Sequence, residues 1–240
     1  MKNKTLLSSG FVLLLSTILL LQSCKEEKLA EAPQQPASLS YHTEFDSIGK
    51  VIADGWRAVN KSQPASGTSW QQGSYIADNV KGGPFQSSIP AHSYIASANE
   101  YALCPYTVGV GLSFINCWLI SPALSMKNGD RFSFWTRTRP TVNYPDRMQV
   151  WLNTTNDGTN VGANQNETGD FTKLILDINP TYSRTGYPTG WTKYEFVISG
   201  LANSVPKKLR IGFRYYVQGG GPSGANSDEI GIDDFEFISN

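Results

Sequence analysis

The chain has 240 residues, with 20 basic and 20 acidic side chains and no formal net charge at pH 7. A neutral chain without a long basic run lacks the electrostatic surface that nucleic acids require, so we expect no nucleic-acid partner. Its abundant glycine, asparagine, serine, threonine and aromatic residues favour an all-β extracellular domain with long polar loops.

Residues 1–23 are predicted to be a lipoprotein signal peptide. Lys2 and Lys4 supply positive charge, residues 6–21 are nearly continuously apolar, and Ser23 ends the segment with a small side chain. Cys24 follows directly, an arrangement that resembles the lipobox of bacterial lipoproteins. The resemblance implies cleavage before Cys24, diacylation of its thiol and acylation of the new amino terminus. An uncleaved transmembrane helix is the alternative, and it is disfavoured because spanning a bilayer takes about 20 apolar residues.

Residues 24–40 are predicted to be the lipidated N-terminus and a flexible tether. The charged run 25–28 resembles the export signal of surface-exposed lipoproteins in some glycan-foraging Gram-negative bacteria, although a merely hydrophilic spacer would look similar. Pro33 and Pro36 flank two glutamines, a composition typical of an extended linker. We therefore expect an outer-membrane protein that is lipid-anchored and exposed at the cell surface.

Residues 41–240 are predicted to form one antiparallel β-sandwich, because the chain alternates apolar and polar residues with a period of two and shows almost no helical pattern. The clearest strand patterns cover residues 131–137, 148–152, 171–178, 194–198 and 209–217. Cys104 and Cys117 would lie in an oxidising compartment and could form a disulfide, or they could be two buried thiols. The two histidines, His42 and His92, lack metal-ligand spacing.

The C-terminal strand pattern changes phase at Asp233-Asp234. Ile230 and Ile232 share one face of a regular strand, whereas Phe235 and Phe237 share the other. A β-bulge or a change of buried surface is needed to place all four in the core. Two carboxylates at such a position need a partner if they are buried, and Ca²⁺ takes oxygen ligands of this kind. A solvated turn is the alternative.

The order of several short motifs resembles the choice-of-anchor J domain, a relative of the cleaved adhesin domains of secreted proteases and, more distantly, of MAM-type jelly rolls. The resemblance covers residues 44–238 and rests on Glu44-Phe45-Asp46, Gly55-Trp56, Trp70, Trp118-Leu119-Ile120-Ser121-Pro122, Gly129-Asp130-Arg131-Phe132, Trp191, Arg210-Ile211-Gly212-Phe213 and Ile232-Asp233-Asp234-Phe235. It implies a jelly-roll sandwich with its first and last strands side by side. The chain departs from the adhesin pattern in a longer insertion at residues 219–227.

The same resemblance implies a structural Ca²⁺ where the chain ends meet. Its ligands would be Glu44, Asp46 and Asp234, with Asp233 beside them and Asp78 as a further ligand from the 75–79 loop.

No catalytic motif is visible, so the protein is interpreted as a binding module rather than an enzyme. A jelly-roll glycosidase is the enzymatic alternative, but Glu229 and Glu236 fall on opposite faces of a regular strand and cannot form one catalytic row. The ligand that we expect first is a carbohydrate, which would be recognised by exposed aromatic rings. A protein-binding adhesin or an accessory subunit of a surface complex is the alternative.

Trp70 and Tyr75 are the first expected ligand-binding residues, because they flank the polar loop 71–74. The alternative is that Trp70 anchors this loop. The wider set of loop aromatics comprises Trp70, Tyr75, Tyr94, Tyr101, Tyr106, Tyr144, Tyr182 and Tyr187. Polar contacts could come from Asn143, Asn153, Asn156 and Arg184.

Overall fold

The computed structural model describes residues 38–76, 88–202 and 205–240. The predicted signal peptide, the lipidated Cys24 and most of the tether lie outside these ranges, as does Asp78. The described residues belong to one compact unit. They include no helix whose length and apolarity would let it cross a membrane.

The described residues form one short α-helix, one 3₁₀ turn at Tyr106–Val108 and thirteen β-strands. The helix α1 spans Ile48–Ala53. Ser47 is its N-cap residue, and the Ser47 side chain accepts a hydrogen bond from the backbone N–H of Lys50. In chain order the strands are β1 Ser38–Thr43, β2 Arg57–Asn60, β3 Gln63–Ala65, β4 Gln71–Gln72, β5 Ala102–Pro105, β6 Gly109–Ile120, β7 Leu124–Met126, β8 Arg131–Thr138, β9 Met148–Asn153, β10 Lys173–Ile178, β11 Thr192–Val197, β12 Lys207–Gly220 and β13 Glu229–Ser239.

The strands form two antiparallel sheets that pack as a jelly-roll sandwich. Sheet A has the order β11-β8-β13-β5-β4, and β1 also pairs with β13. Sheet B has the order β10-β9-β12-β6-β2, with β3 added to β6 and β7 added to β12. The predicted antiparallel sandwich is confirmed, and the first and last strands are neighbours, with Thr43 opposite Phe235.

The main core lies between the sheets and is rich in aromatic side chains. Trp56 is at its centre, with ring centroids 5.1 Å from Phe45, 5.2 Å from Phe235 and 6.2 Å from Phe213. The indole N–H of Trp56 donates to the hydroxyl of Tyr41 at 2.8 Å, so its polar atom is satisfied. The contacts with Phe45 and Phe235 are edge-to-face and the contact with Phe213 is stacked, and aromatic pairs of both kinds contribute beyond area burial alone.

The predicted phase change in β13 is confirmed as a β-bulge. The register of β13 against β8 shifts between Asp233 and Glu236, and Asp234 adopts a φ of 46°. Ile230, Ile232, Phe235 and Phe237 are consequently all buried in the main core. The extra residue of the bulge turns the second pair of side chains back to the face that the first pair occupies.

Each sheet also carries a smaller core on its outer face. On sheet A, Tyr101 and Leu103 pack with Ile89, Ala91 and Trp191. On sheet B, Trp118 and Ile120 pack with Val161 and Phe171. The 88–101 and 154–172 segments therefore cover part of the two outer faces.

Cys104 on β5 and Cys117 on β6 are buried free thiols in the structure, which corresponds to the alternative left open by the sequence rather than to a disulfide. Burial raises the pKa of the Cys104 thiol well above its usual range. The hydroxyl of Ser69 lies 3.3 Å from the Cys117 sulfur. Both thiols occupy the main core as small apolar side chains.

Candidate binding cleft and chain-end cluster

A cleft of about 210 Å³ opens at one end of the sandwich, where the insertion 219–227 meets the ends of β5 and β8. We call it the end cleft, and its lining residues are Tyr106, Arg139, Asn143, Tyr144, Gly221, Pro222, Gly224, Ser227 and Asp228. Three of them, Tyr106, Asn143 and Tyr144, are among the residues that the sequence analysis named as candidate ligand contacts.

The insertion forms a wall of the end cleft and is held by its own hydrogen bonds. The hydroxyl of Ser227 accepts from the N–H of Gly221 at 2.9 Å, and the N–H of Ser227 donates to the carbonyl of Pro145 at 3.0 Å. Gly221 has a φ of 83°, and a Cβ there would lie 2.5 Å from the carbonyl oxygen of Gly111. Glycine is therefore required at this position.

Arg139 is the fixed charged group of the end cleft. Its Nε lies 3.1 Å from Asp228 Oδ1 and 2.9 Å from Glu229 Oε1. The two carboxylates are almost completely buried, whereas 31% of the Arg139 side chain is exposed. Burial raises the pKa of Asp228 to about 6, and the charge of Arg139 opposes this rise. Arg139 lines the cleft with 31% of its side chain exposed, so its guanidinium can also contact a ligand there.

Asp146 supports the end cleft from inside the sandwich. Its carboxylate accepts hydrogen bonds from the hydroxyls of Thr138 and Tyr215 and from the N–H of Asp228. The side chain is fully buried, and this burial raises its pKa to about 7 despite the three donors. The network fixes the backbone of Asp228 and hence the position of Arg139.

Two tyrosine rings complete the end cleft. Tyr144 is 48% exposed, and Tyr106 is half-buried beside it in the lining. An exposed ring can contact the C–H face of a sugar or an aliphatic group, while Arg139 and the exposed amide of Asn143 can hydrogen-bond to hydroxyls. Sequence reasoning missed Arg139 and Asp228, because nothing in their local pattern indicates that they pair.

The structure corrects the expectation for Trp70. This side chain is only 5% exposed and its indole N–H donates to the carbonyl of Cys117 at 3.2 Å, so it anchors its loop to the core. Gln72, in the polar loop between Trp70 and Tyr75, donates its side-chain amide to the carbonyls of Phe45 and Asn99. Tyr75 is half-buried, and its ligand-binding role stays a prediction.

Other candidate aromatics also differ in exposure. Tyr101 and Tyr187 are buried and cannot be ligand platforms, whereas Tyr94 is 56% exposed in the segment that covers sheet A. Exposure, which the sequence does not show, therefore separates structural tyrosines from available ones.

A second polar site lies where β1 and β13 meet. Donor atoms of His42, Glu44 and Asp234 all lie within 4.8 Å of one another, and we call these three residues the chain-end cluster. Asp234 Oδ2 is in hydrogen-bond contact with Nδ1 of His92, and Asp234 Oδ1 accepts from the hydroxyl of Ser93 at 2.9 Å. Both histidines of the chain thus face the same carboxylate, which the sequence analysis did not anticipate.

Among the described residues, Asp46 and Asp233 are not part of this cluster, although Asp46 lines the same surface hollow as His42 and Glu44. Asp233 is buried and its carboxylate accepts from the backbone N–H groups of His92, Ser93 and Asp234 at 2.8, 3.4 and 2.9 Å. Asp46 is exposed. Ca²⁺ takes six to eight oxygen ligands, whereas the cluster offers two carboxylates and an imidazole nitrogen. The calcium site therefore stays a prediction, and its expected ligand Asp78 lies outside the described residues.

No protein-family profile and no curated protein sequence matches the chain. Among solved structures, the K2 cleaved adhesin domain of Lys-gingipain has a TM-score of 0.51 at 15% identity, over 84% of this chain and 100% of that domain. The chain shares its fold with a cleaved adhesin domain. The K1 domain of Lys-gingipain from Porphyromonas gingivalis gives a TM-score of 0.49 at 16% identity, over 84% and 99% of the two chains. The CBM22-2 xylan-binding domain from Paenibacillus barcinonensis gives a TM-score of 0.41 at 13% identity, over 84% of this chain and 99% of that domain.

Proposed function

We propose that the protein is a non-catalytic binding module that holds a carbohydrate in the end cleft. The observation that carries this proposal is the exposed ring of Tyr144 beside the fixed guanidinium of Arg139. Carbohydrates present C–H faces and hydroxyls together, and a ring next to planar donors matches both. Because the buried carboxylates already position Arg139, little ordering is needed on binding.

The arrangement of carboxylates in the end cleft favours binding over cleavage. A glycosidase places one carboxyl group on each side of the scissile bond. Asp228 and Glu229 both contact the same nitrogen of Arg139, so they lie on one wall, and only 8% and 4% of their side chains are exposed. Neither can reach the opposite side of a bound sugar. Release of product from a polysaccharide would contradict this proposal.

We expect Tyr144→Ala to weaken carbohydrate binding by about 10–100-fold, because covering a large apolar side chain is worth about 1.5–3 kcal/mol. The ring is half exposed, so the melting temperature should change little. Glycan arrays would identify a ligand, and calorimetry would then compare the variant with the wild type.

Tyr94→Ala is the matched control, since Tyr94 is also an exposed tyrosine but lies outside the end cleft. It should retain wild-type affinity. Equal loss in both variants, or no loss in Tyr144→Ala, would show that the end cleft does not bind the glycan.

A protein-binding adhesin or accessory subunit is the second candidate. The observation that favours it is the exposed apolar tip formed by Tyr94 and Ile95, which are 56% and 83% exposed. Under this alternative, glycan arrays would show no binding. The protein would instead capture a partner protein from a cell surface, and replacing both Tyr94 and Ile95 with serine would abolish that capture.

We also propose that the protein is anchored by lipid on Cys24 and faces the cell exterior, on the support of the apolar run 6–21, the small Ser23 and the charged run 25–28. Cys24→Ala should accumulate as unlipidated precursor, detected by its slower gel migration. Added protease should remove the wild type from intact cells, and protection equal to that of a periplasmic control would contradict surface exposure.

A further inference from the structure

We propose that a hollow near the start of β2 and β12 binds the carboxylate or sulfate group of an acidic sugar. The hollow has a volume of about 460 Å³, and we call it the arginine hollow. Its lining residues are Ile52, Gly55, Trp56, Arg57, Ala58 and Arg210. Two of these six residues carry a guanidinium cation and none is an acid, so the charge of the lining favours an anion.

The register of the strands places the two arginines on the same face of sheet B. Arg57 of β2 and Gly212 of β12 lie opposite Ile120, on the two sides of β6. Residues directly opposite one another share a face, and Arg210 shares the face of Gly212 because it is two residues away. The two cations consequently lie at the same end of one sheet, where both line the hollow.

Arg210 is held in place by three backbone carbonyls. Its Nε donates to the carbonyl of Asp157 at 2.8 Å. Its Nη1 donates to the carbonyls of Ser121 at 2.6 Å and Gly55 at 3.3 Å. Its Nη2 makes no hydrogen bond with any residue that the structure describes. The guanidinium is therefore fixed in position, and the N–H groups on Nη2 can donate to an anion.

The Arg57 side chain is exposed and makes neither a hydrogen bond nor an ion pair within the described part of the chain. Burial lowers the pKa of Arg210, the charge of Asp157 opposes this change, and the charge of Arg57 lowers the pKa further. The two arginines therefore repel each other. An anion that contacts both guanidiniums would offset this repulsion, because each interaction with the anion is attractive.

The remaining lining suits a sugar ring that carries the anionic group. Ile52 is 39% exposed and offers apolar surface beside the two guanidiniums. A guanidinium binds oxyanions through paired N–H donors, and an apolar side chain can cover the C–H face of a ring. The arginine hollow and the end cleft lie at opposite ends of β6 and β12, so this proposal does not rest on carbohydrate binding in the end cleft.

The test uses the full chain purified in detergent. Dextran sulfate, polygalacturonate and uncharged dextran are titrated separately by calorimetry, at low and at high ionic strength. We expect at least one of the two acidic polymers to bind and dextran not to bind, and the acidic polymer that binds more tightly identifies the preferred group. Binding should weaken at high ionic strength, because salt screens the attraction between exposed charges.

Arg57→Gln should weaken binding of the acidic polymer by at least about tenfold, the usual effect of losing a hydrogen bond to a charged group. Without polymer, this variant should melt no lower than the wild type, because the substitution removes a repulsion and no hydrogen bond of the side chain. Arg131→Gln is the matched control, since Arg131 is a half-exposed arginine on sheet A, and it should bind as the wild type does. Unchanged binding in Arg57→Gln, equal loss in the two variants, or equal binding of dextran and dextran sulfate would overturn the proposal.

Discussion

Replacing Trp70 with alanine is expected to lower the free energy of unfolding by about 3–5 kcal/mol, the usual cost of removing a large aromatic side chain from a core. Trp70 belongs to the main core and is 5% exposed. Its indole N–H donates to the Cys117 carbonyl at 3.2 Å, so the substitution removes both packing and a buried hydrogen bond. Denaturant unfolding monitored by circular dichroism would measure the loss.

Carbohydrate affinity of the folded Trp70→Ala fraction should remain near that of the wild type, because the end cleft does not include this residue. Trp70→Phe keeps an aromatic ring in the core but loses the indole N–H, so it should cost less, about 1–3 kcal/mol. If Trp70→Ala instead kept its stability and lost its ligand, the ring would be a platform and not an anchor.

Stability should fall as pH rises from about 4 to 7, in part because of Asp146. Burial raises its pKa from 3.8 to about 7, so the folded state holds a proton that the unfolded state releases within this range. The stabilisation that the proton on Asp146 gives the folded state is fully present below pH 4 and is lost by about pH 7. A single group of this kind changes the free energy of unfolding by at most about 1.4 kcal/mol per pH unit. Asp228, with a pKa raised to about 6, acts in the same direction.

Asp146→Asn should remove this part of the pH dependence, since an amide retains hydrogen-bonding atoms but does not titrate. The free energy of unfolding would be measured for both proteins from pH 4 to 8. The wild type should lose a few kcal/mol more than the variant across this range. Asp157→Asn, an exposed substitution, should run parallel to the wild type. Parallel curves for Asp146→Asn would show that this carboxyl group titrates normally.

The strands could be predicted from the sequence because the alternating pattern that specifies a strand lies within the strand itself. Alternation identified the segments that became β8, β9, β11 and β12, and the change of phase at Asp233-Asp234 identified the bulge. Both features follow from the pleat, which sends successive side chains to opposite faces.

The sites could be predicted only in part because they depend on contacts distant in sequence. His92 reaches Asp234 across 142 residues, through a loop that carries no strand pattern. Arg139 pairs with Asp228 only because β8 and β13 align in a particular register. Glu44 and Asp234 were expected to lie near one another, but nothing local in the sequence indicated that His42 joins them. Trp70 is buried and Tyr144 is exposed, and no sequence pattern in a loop predicts this difference.

The pairing of β1 with β13 determines how the domain would carry mechanical load. Ser38 lies opposite Ser239, whereas the end cleft adjoins Glu229 at the other end of β13, about 33 Å away at the usual rise per residue. A lipid-anchored chain holding a ligand would be pulled at opposite poles, along the strands. The hydrogen bonds between β1 and β13 would then be loaded together in shear, a geometry that resists detachment better than opening them one at a time.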